Sequence, residues 1–181
     1  MFHSAYHALA WSYVIETLPI IKLSSINNMR HVAGVPNILV RGLTPQEIHA
    51  QSALIIGMAE RLHDPAEPEK VIDPAKREFL RARFGRRMSQ DDMKVLVYRG
   101  CAALGVALHR DNQQAVYRIM RGYFGDEMTY RQARKALGCR HQYAVMAKSC
   151  LYDVLDIIHD RAMADMTEVL EQHGLIERAY A

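Results

Sequence analysis

Arg140, His141, Gln142 and Tyr143 set a guanidinium, an imidazole, a carboxamide and a phenol side by side. All four can hydrogen-bond planar heterocycles. Arginine can bond guanine through two parallel donors, and glutamine can bond adenine as donor and acceptor together. Arg131, Arg134 and Lys148 flank this run, and cations so placed suit phosphate oxygens better than base edges. Arg81, Arg83, Arg86 and Arg87 form an upstream cluster of the same kind. The chemistry these residues offer is recognition of double-stranded DNA. Catalytic chemistry is not legible, because no glycine-rich phosphate loop, paired zinc motif or nucleophile elbow is present. The nine histidines are scattered, and His3, His7 and His49 have no readable carboxylate partner. Cys139 and His141 could be drawn with Cys101, Cys150 or His109 as a zinc site. The spacings fit neither standard ligand pair, however, and small cysteines are more often core. No catalytic residue, metal or cofactor is expected.

Base-reading side chains need a rigid element narrow enough for the major groove, and the flanking sequence supplies one. Thr129 can cap a short helix, with Gln132 at the reciprocal capping-box position. Ala133 and Leu137 point to an inner face, and Gly138 permits a left-handed turn. A second helix begins near Arg140 or His141, with Ala144 and Val145 inward and Lys148 outward. Two short helices joined through glycine predict a helix-turn-helix over residues 129–148, and the start of its second helix is where such motifs meet base edges.

Charge supports the same region. The net charge of +3 conceals blocks of −2 over residues 1–75, +10 over 76–148 and −5 over 149–181. A concentrated positive block between acidic flanks attracts a polyanion to one part of the surface.

The remainder reads as helices joined by turns. His3 to Glu16 is one helix. Thr44, Pro45 and Glu47 open a second that runs to about Leu62, with Ile48, Leu54, Ile55 and Met58 buried. The prolines at 65, 68 and 74 divide the chain, giving an N-terminal helical region over 1–63, a proline-rich linker over 64–75 and a DNA-binding region over 76–181. In the last, a helix from Pro74 carries Phe79, Leu80 and Phe84 on one side and Lys76, Arg77 and the arginine cluster largely on the other. An apolar helix follows Ser89 as far as Leu108, and Asp111 caps the next. Leu151, Leu155, Ile158, Ala162, Met166 and Val169 recur in steps of three and four, so a helix about 50 Å long extends from the recognition segment to His173. It packs back on the N-terminal helices or forms a homodimer seam, the first being favoured. The fold class expected is all-α, a multi-helix bundle holding a helix-turn-helix and a long C-terminal helix. Phe84-Gly85, Met88 and Ser89 recur forty residues on as Phe124-Gly125, Met128 and Thr129, with Arg81 matching Arg121. This echo raises a second, degenerate helix-turn-helix over 76–100.

Tyr123-Phe124-Gly125, Met128 to Ala133 and Leu137-Gly138-Cys139 resemble the helix-turn-helix of region four of bacterial sigma factors. Gln132, Arg134 and Arg140 stand where that family usually has glutamate, alanine and serine, so the resemblance implies the scaffold and not the sigma role. The segment from Ala53 to Leu62, a helix ending near Tyr123-Phe124, the helix-turn-helix and a trailing helix are similar in order to the Q late antiterminators of lambdoid phages. That resemblance implies a factor that binds DNA beside a late promoter and acts on paused RNA polymerase and its sigma factor. A small-terminase-like packaging oligomer and a helical module that binds only protein are the alternatives. An odd cysteine count, no signal-peptide pattern and no run of membrane-spanning length lead us to expect the cytoplasm of a bacterial host and no membrane partner.

Overall fold

The computed structural model describes residues 2–17, 44–62, 73–85, 88–126 and 128–176. Among these, seven helices and no strand are present, so the fold is all-α. The helices are α1 (Ala5–Glu16), α2 (Pro45–Ala59), α3 (Pro74–Phe84), α4 (Lys94–Ala103), α5 (Arg110–Tyr123), α6 (Tyr130–Leu137) and α7 (His141–Gln172). None is long and apolar enough to cross a membrane. The chain divides into two compact units, residues 1–73 with 162–181, and residues 74–161. The stretch from Ala162 onwards thus groups with the N-terminal helices instead of the 76–181 region in which the sequence suggested it, and most of the proline-rich segment lies outside the described residues.

In the first unit, the Ser4 side chain accepts from the His7 amide and starts α1. Thr44 and Glu47 exchange hydrogen bonds at the start of α2, the Glu47 carboxylate accepting from the Thr44 amide at 2.6 Å. Those bonds hold the Glu47 carboxyl below its usual range. Leu9, Trp11 and Ile15 of α1 and Ile48, Ile55 and Ala59 of α2 are buried. Ser12 and Ser52 sit in this core without penalty, because Ser12 Oγ donates to Ala8 O at 2.7 Å and Ser52 Oγ donates across to Ser12 O at 2.8 Å. The inner stripe of α2 is therefore 48, 52, 55 and 59, and Leu54, expected inside, is turned about 100° from Ile55 and is 51% exposed. The Phe2 amide donates to Leu175 O at 2.8 Å and Phe2 packs edge-on to Trp11. The C-terminal segment thereby closes on the start of the same unit, the arrangement the sequence favoured over a dimer seam.

In the second unit, α4 ends at Ala103, earlier than the expected Leu108. It crosses its neighbours at Gly100, where a Cβ atom would lie 2.6–2.8 Å from side-chain methyls of Met120, Val116 and Leu151, so any larger residue must displace them. The next helix is capped by His109, not Asp111, and without a side-chain bond. α4 has no local cap either. Its first amides are met by Glu78 of α3, which accepts from Val95 N at 3.2 Å and Leu96 N at 2.9 Å. Burial pushes the Glu78 carboxyl up, outweighing the two amide bonds and the nearby Arg77 and Arg81 that pull it down. Lys76, expected on an outer face, is 2% exposed, so α3 is less cleanly divided than its apolar spacing suggests.

Candidate nucleic-acid interface

Residues 128–152 build two helices joined through a glycine turn from local chemistry. Thr129 Oγ1 accepts from the Gln132 amide at 3.3 Å, and Gln132 Oε1 accepts from the Thr129 amide at 2.8 Å. Two otherwise orphaned donors are thereby satisfied at the start of α6. Gly138 ends α6 at φ 60°, ψ 26°, a left-handed conformation that costs other residues about 1 kcal/mol. Cys139 and Arg140 complete the turn before α7 begins at His141. Ala133 and Ala144 are fully buried, followed along α7 by Ala147 and Leu151. With alanine on both helices, no long side chain holds them apart.

The hairpin is fastened by a lysine. Lys148 Nζ donates to the Met128 carbonyl at 2.7 Å and lies 4.8 Å from the Tyr130 ring and 5.2 Å from the Tyr152 ring. Lys148 was expected to point outward to phosphate; the structure corrects this, since its ammonium is engaged with the loop before α6. A cation between two aromatic faces and a carbonyl is a strong local anchor. Tyr152 leads into an aromatic cluster, its ring 5.3 Å from Tyr123, which packs on Phe124 and Phe79. Tyr123 donates to Asp156 at 2.6 Å, and burial together with that bond pushes its hydroxyl far above the usual tyrosine range. Tyr123 and Phe124 therefore serve as the footing of the hairpin.

No family model matches the chain, and no curated protein matches it significantly.

What the interface can do follows from the residues it exposes. Arg140, His141, Gln142 and Tyr143 are all exposed at the start of α7, as are Arg131 and Arg134 on α6. The His141 ring lies edge-on to Tyr130, centroids 6.4 Å apart. Along α7 the outer stripe continues as Gln142, Tyr143, Met146 and Ser149, opposite the buried Ala144, Ala147 and Leu151. Met146, 70% exposed, and Ser149 were not singled out from sequence. The periodicity of Ala144, Ala147 and Leu151 places both on the far face, but methionine is usually read as core filling. Arg81 and Arg83 are exposed on the last turn of α3. The Arg81 charge acts on the Glu78 and Asp92 carboxyls, so part of it is spent within its own unit. Arg86 and Arg87 lie outside the described residues. Among the described residues no three His, Cys, Asp or Glu side chains come together to hold a metal ion; Cys101, Cys139 and Cys150 are free thiols.

Proposed function

We propose that the chain is a sequence-specific DNA-binding transcription regulator that presents the first two turns of α7 to the major groove. One observation carries this reading. Residues 128–152 hold five lysines and arginines and no carboxylate, in a chain with 20 acidic residues. Even the capping box of α6 uses an amide where α2 uses a glutamate. An ordinary solvent-exposed hairpin mixes both signs, whereas one that approaches phosphates does without acids. The finer reading, resting on the layout resemblance, is a phage- or prophage-type antitermination factor of the Q kind that acts on host RNA polymerase from its DNA site.

Selection of a preferred duplex from a random pool, followed by titration at several salt concentrations, tests the first part. Affinity should fall steeply with salt as counterions are released. Arg140→Ala and Gln142→Ala should each cost about 1–3 kcal/mol on the selected duplex and little on unrelated DNA. Arg134→Ala should weaken all sequences alike and lower the salt slope by about one. An affinity that does not change with salt removes the proposal. Read-through of a terminator by host polymerase downstream of the selected site tests the finer part; unchanged read-through would leave a DNA-binding regulator without antitermination.

A further inference from the structure

We propose that Tyr143 and Met146 form an apolar contact for the 5-methyl group of a pyrimidine, so that the DNA site includes a thymine whose methyl is read. This rests on the DNA-binding reading above and names what that surface recognises. The two side chains lie three residues apart on α7 and so share a face one turn from each other. They are 43% and 70% exposed, while Ala144 and Ala147 beside them are buried. The first two turns of α7 are therefore oriented with their alanines inward and Tyr143 and Met146 outward.

A single exposed methionine needs no explanation, but its surroundings select an occupant. Gln142 precedes on the same face and Arg140 one turn earlier, both exposed, with Arg131 and Arg134 on α6. No carboxylate intervenes before Asp153. An apolar protein partner would be matched poorly by so small a patch on a stretch that holds five cations and no carboxylate. A DNA major groove supplies phosphates for the cations, base edges for Gln142 and Arg140, and a thymine methyl as its one apolar projection. Ser149, the next outward residue, can bond a base edge as donor or acceptor. The outward stripe turns acidic at Asp153, which sets the end of the contact about two turns beyond Met146.

The test uses the full chain and the duplex recovered by selection from a random pool, alongside copies in which deoxyuridine replaces thymidine at one position at a time. Removing the methyl keeps every hydrogen-bonding group of the base. At one position, binding should weaken about four-fold, the worth of one buried methyl. In Met146→Ala, an exposed site whose change leaves the core untouched, the same replacement should have little effect. Tyr143→Phe should keep the discrimination and Tyr143→Ser should reduce it. Sequence-preferring binding that ignores deoxyuridine everywhere, or a methyl effect undiminished in Met146→Ala and Tyr143→Ser, overturns the proposal while leaving DNA recognition intact. Absence of any sequence-preferring binding overturns DNA recognition itself, and the methyl contact with it.

Discussion

Residues 88–93 and 128–133 lead into α4 and α6 by the same exchange of hydrogen bonds. Ser89 and Asp92 bond each other's amides, at 2.9 and 3.3 Å, as Thr129 and Gln132 do forty residues later. Each segment then buries one residue, Met93 just before α4 or Ala133 in the first turn of α6. In each, the methionine carbonyl accepts from a later helix: Met88 from the Tyr117 hydroxyl at 2.8 Å, Met128 from Lys148 at 2.7 Å. The loops differ in charge and in burial. Asp91 and Asp92 occupy the first, Arg131 and Gln132 the second, and the position matching the buried Gly100 is the exposed Arg140. One local design therefore serves a core helix with an acidic approach and a surface helix with a basic one. The echo in sequence marks a shared exchange of hydrogen bonds ahead of two helices that differ in charge and burial.

The largest test of that contrast is at position 100. Gly100→Val forces a branched side chain against three neighbours already within 3 Å of a Cβ, and should cost about 3 kcal/mol in urea unfolding. Arg140→Ala should leave stability unchanged and alter only DNA affinity. Equal effects on stability would mean that the two helices are equally buried.

Next come the anchors. Lys148→Met keeps the aliphatic stem but loses a charge-assisted bond and two ring contacts, and should cost about 2 kcal/mol. Tyr117→Phe loses one neutral hydroxyl bond and should cost about 1 kcal/mol. Chemical denaturation of both variants checks the order. A harmless Lys148→Met would mean that the native lysine is no anchor and that its charge is available to phosphate, as its sequence position suggests.

These loops also show what a sequence can and cannot display. The capping boxes of α2 and α6, the glycine at 138 and the outward run from Arg140 to Tyr143 depend on residues within one turn of each other, and all were legible; the Ser89–Asp92 exchange was not singled out. The Lys148 anchor, the Gly100 crossing, the burial of Lys76 and the Glu78 cap on α4 join residues distant in the chain. A charged residue in sequence looks solvent-bound until its partner is known, which is why Lys148 and Lys76 were placed outside. Leu54 erred the other way: Ser52 took its inner position because a backbone carbonyl of α1 was there to receive the hydroxyl.

The smallest expected effect separates the boxes by acid. Bonds from Ser89 hold the Asp92 carboxyl below its usual range, so its contribution is present above the unfolded-state pKa and is lost as pH falls through the lower folded value. Asp92→Asn should flatten the decline in stability on acidification. Gln132 has no proton to take up, and Gln132→Glu should add a decline of the same sign while weakening DNA binding. Urea midpoints between pH 7 and pH 3 read both. A steeper acid decline in Asp92→Asn would contradict the shared design.

The pairing of Phe2 with Ile176 has a bearing on the order in which the chain folds. Every helix partner within residues 74–161 is available once that stretch has been made, so its contacts can close before residues 162–176 are added. The first unit cannot finish until residues 162–176 arrive, because they complete contacts that begin at Phe2. Long-span closure is slow, and on a ribosome adding about 5–20 residues per second α1 and α2 wait several seconds for their last partner. Trp11, the one tryptophan in the chain, is buried in that unit. Its emission should therefore follow the late step, while tyrosine signals from the 74–161 unit follow the early one.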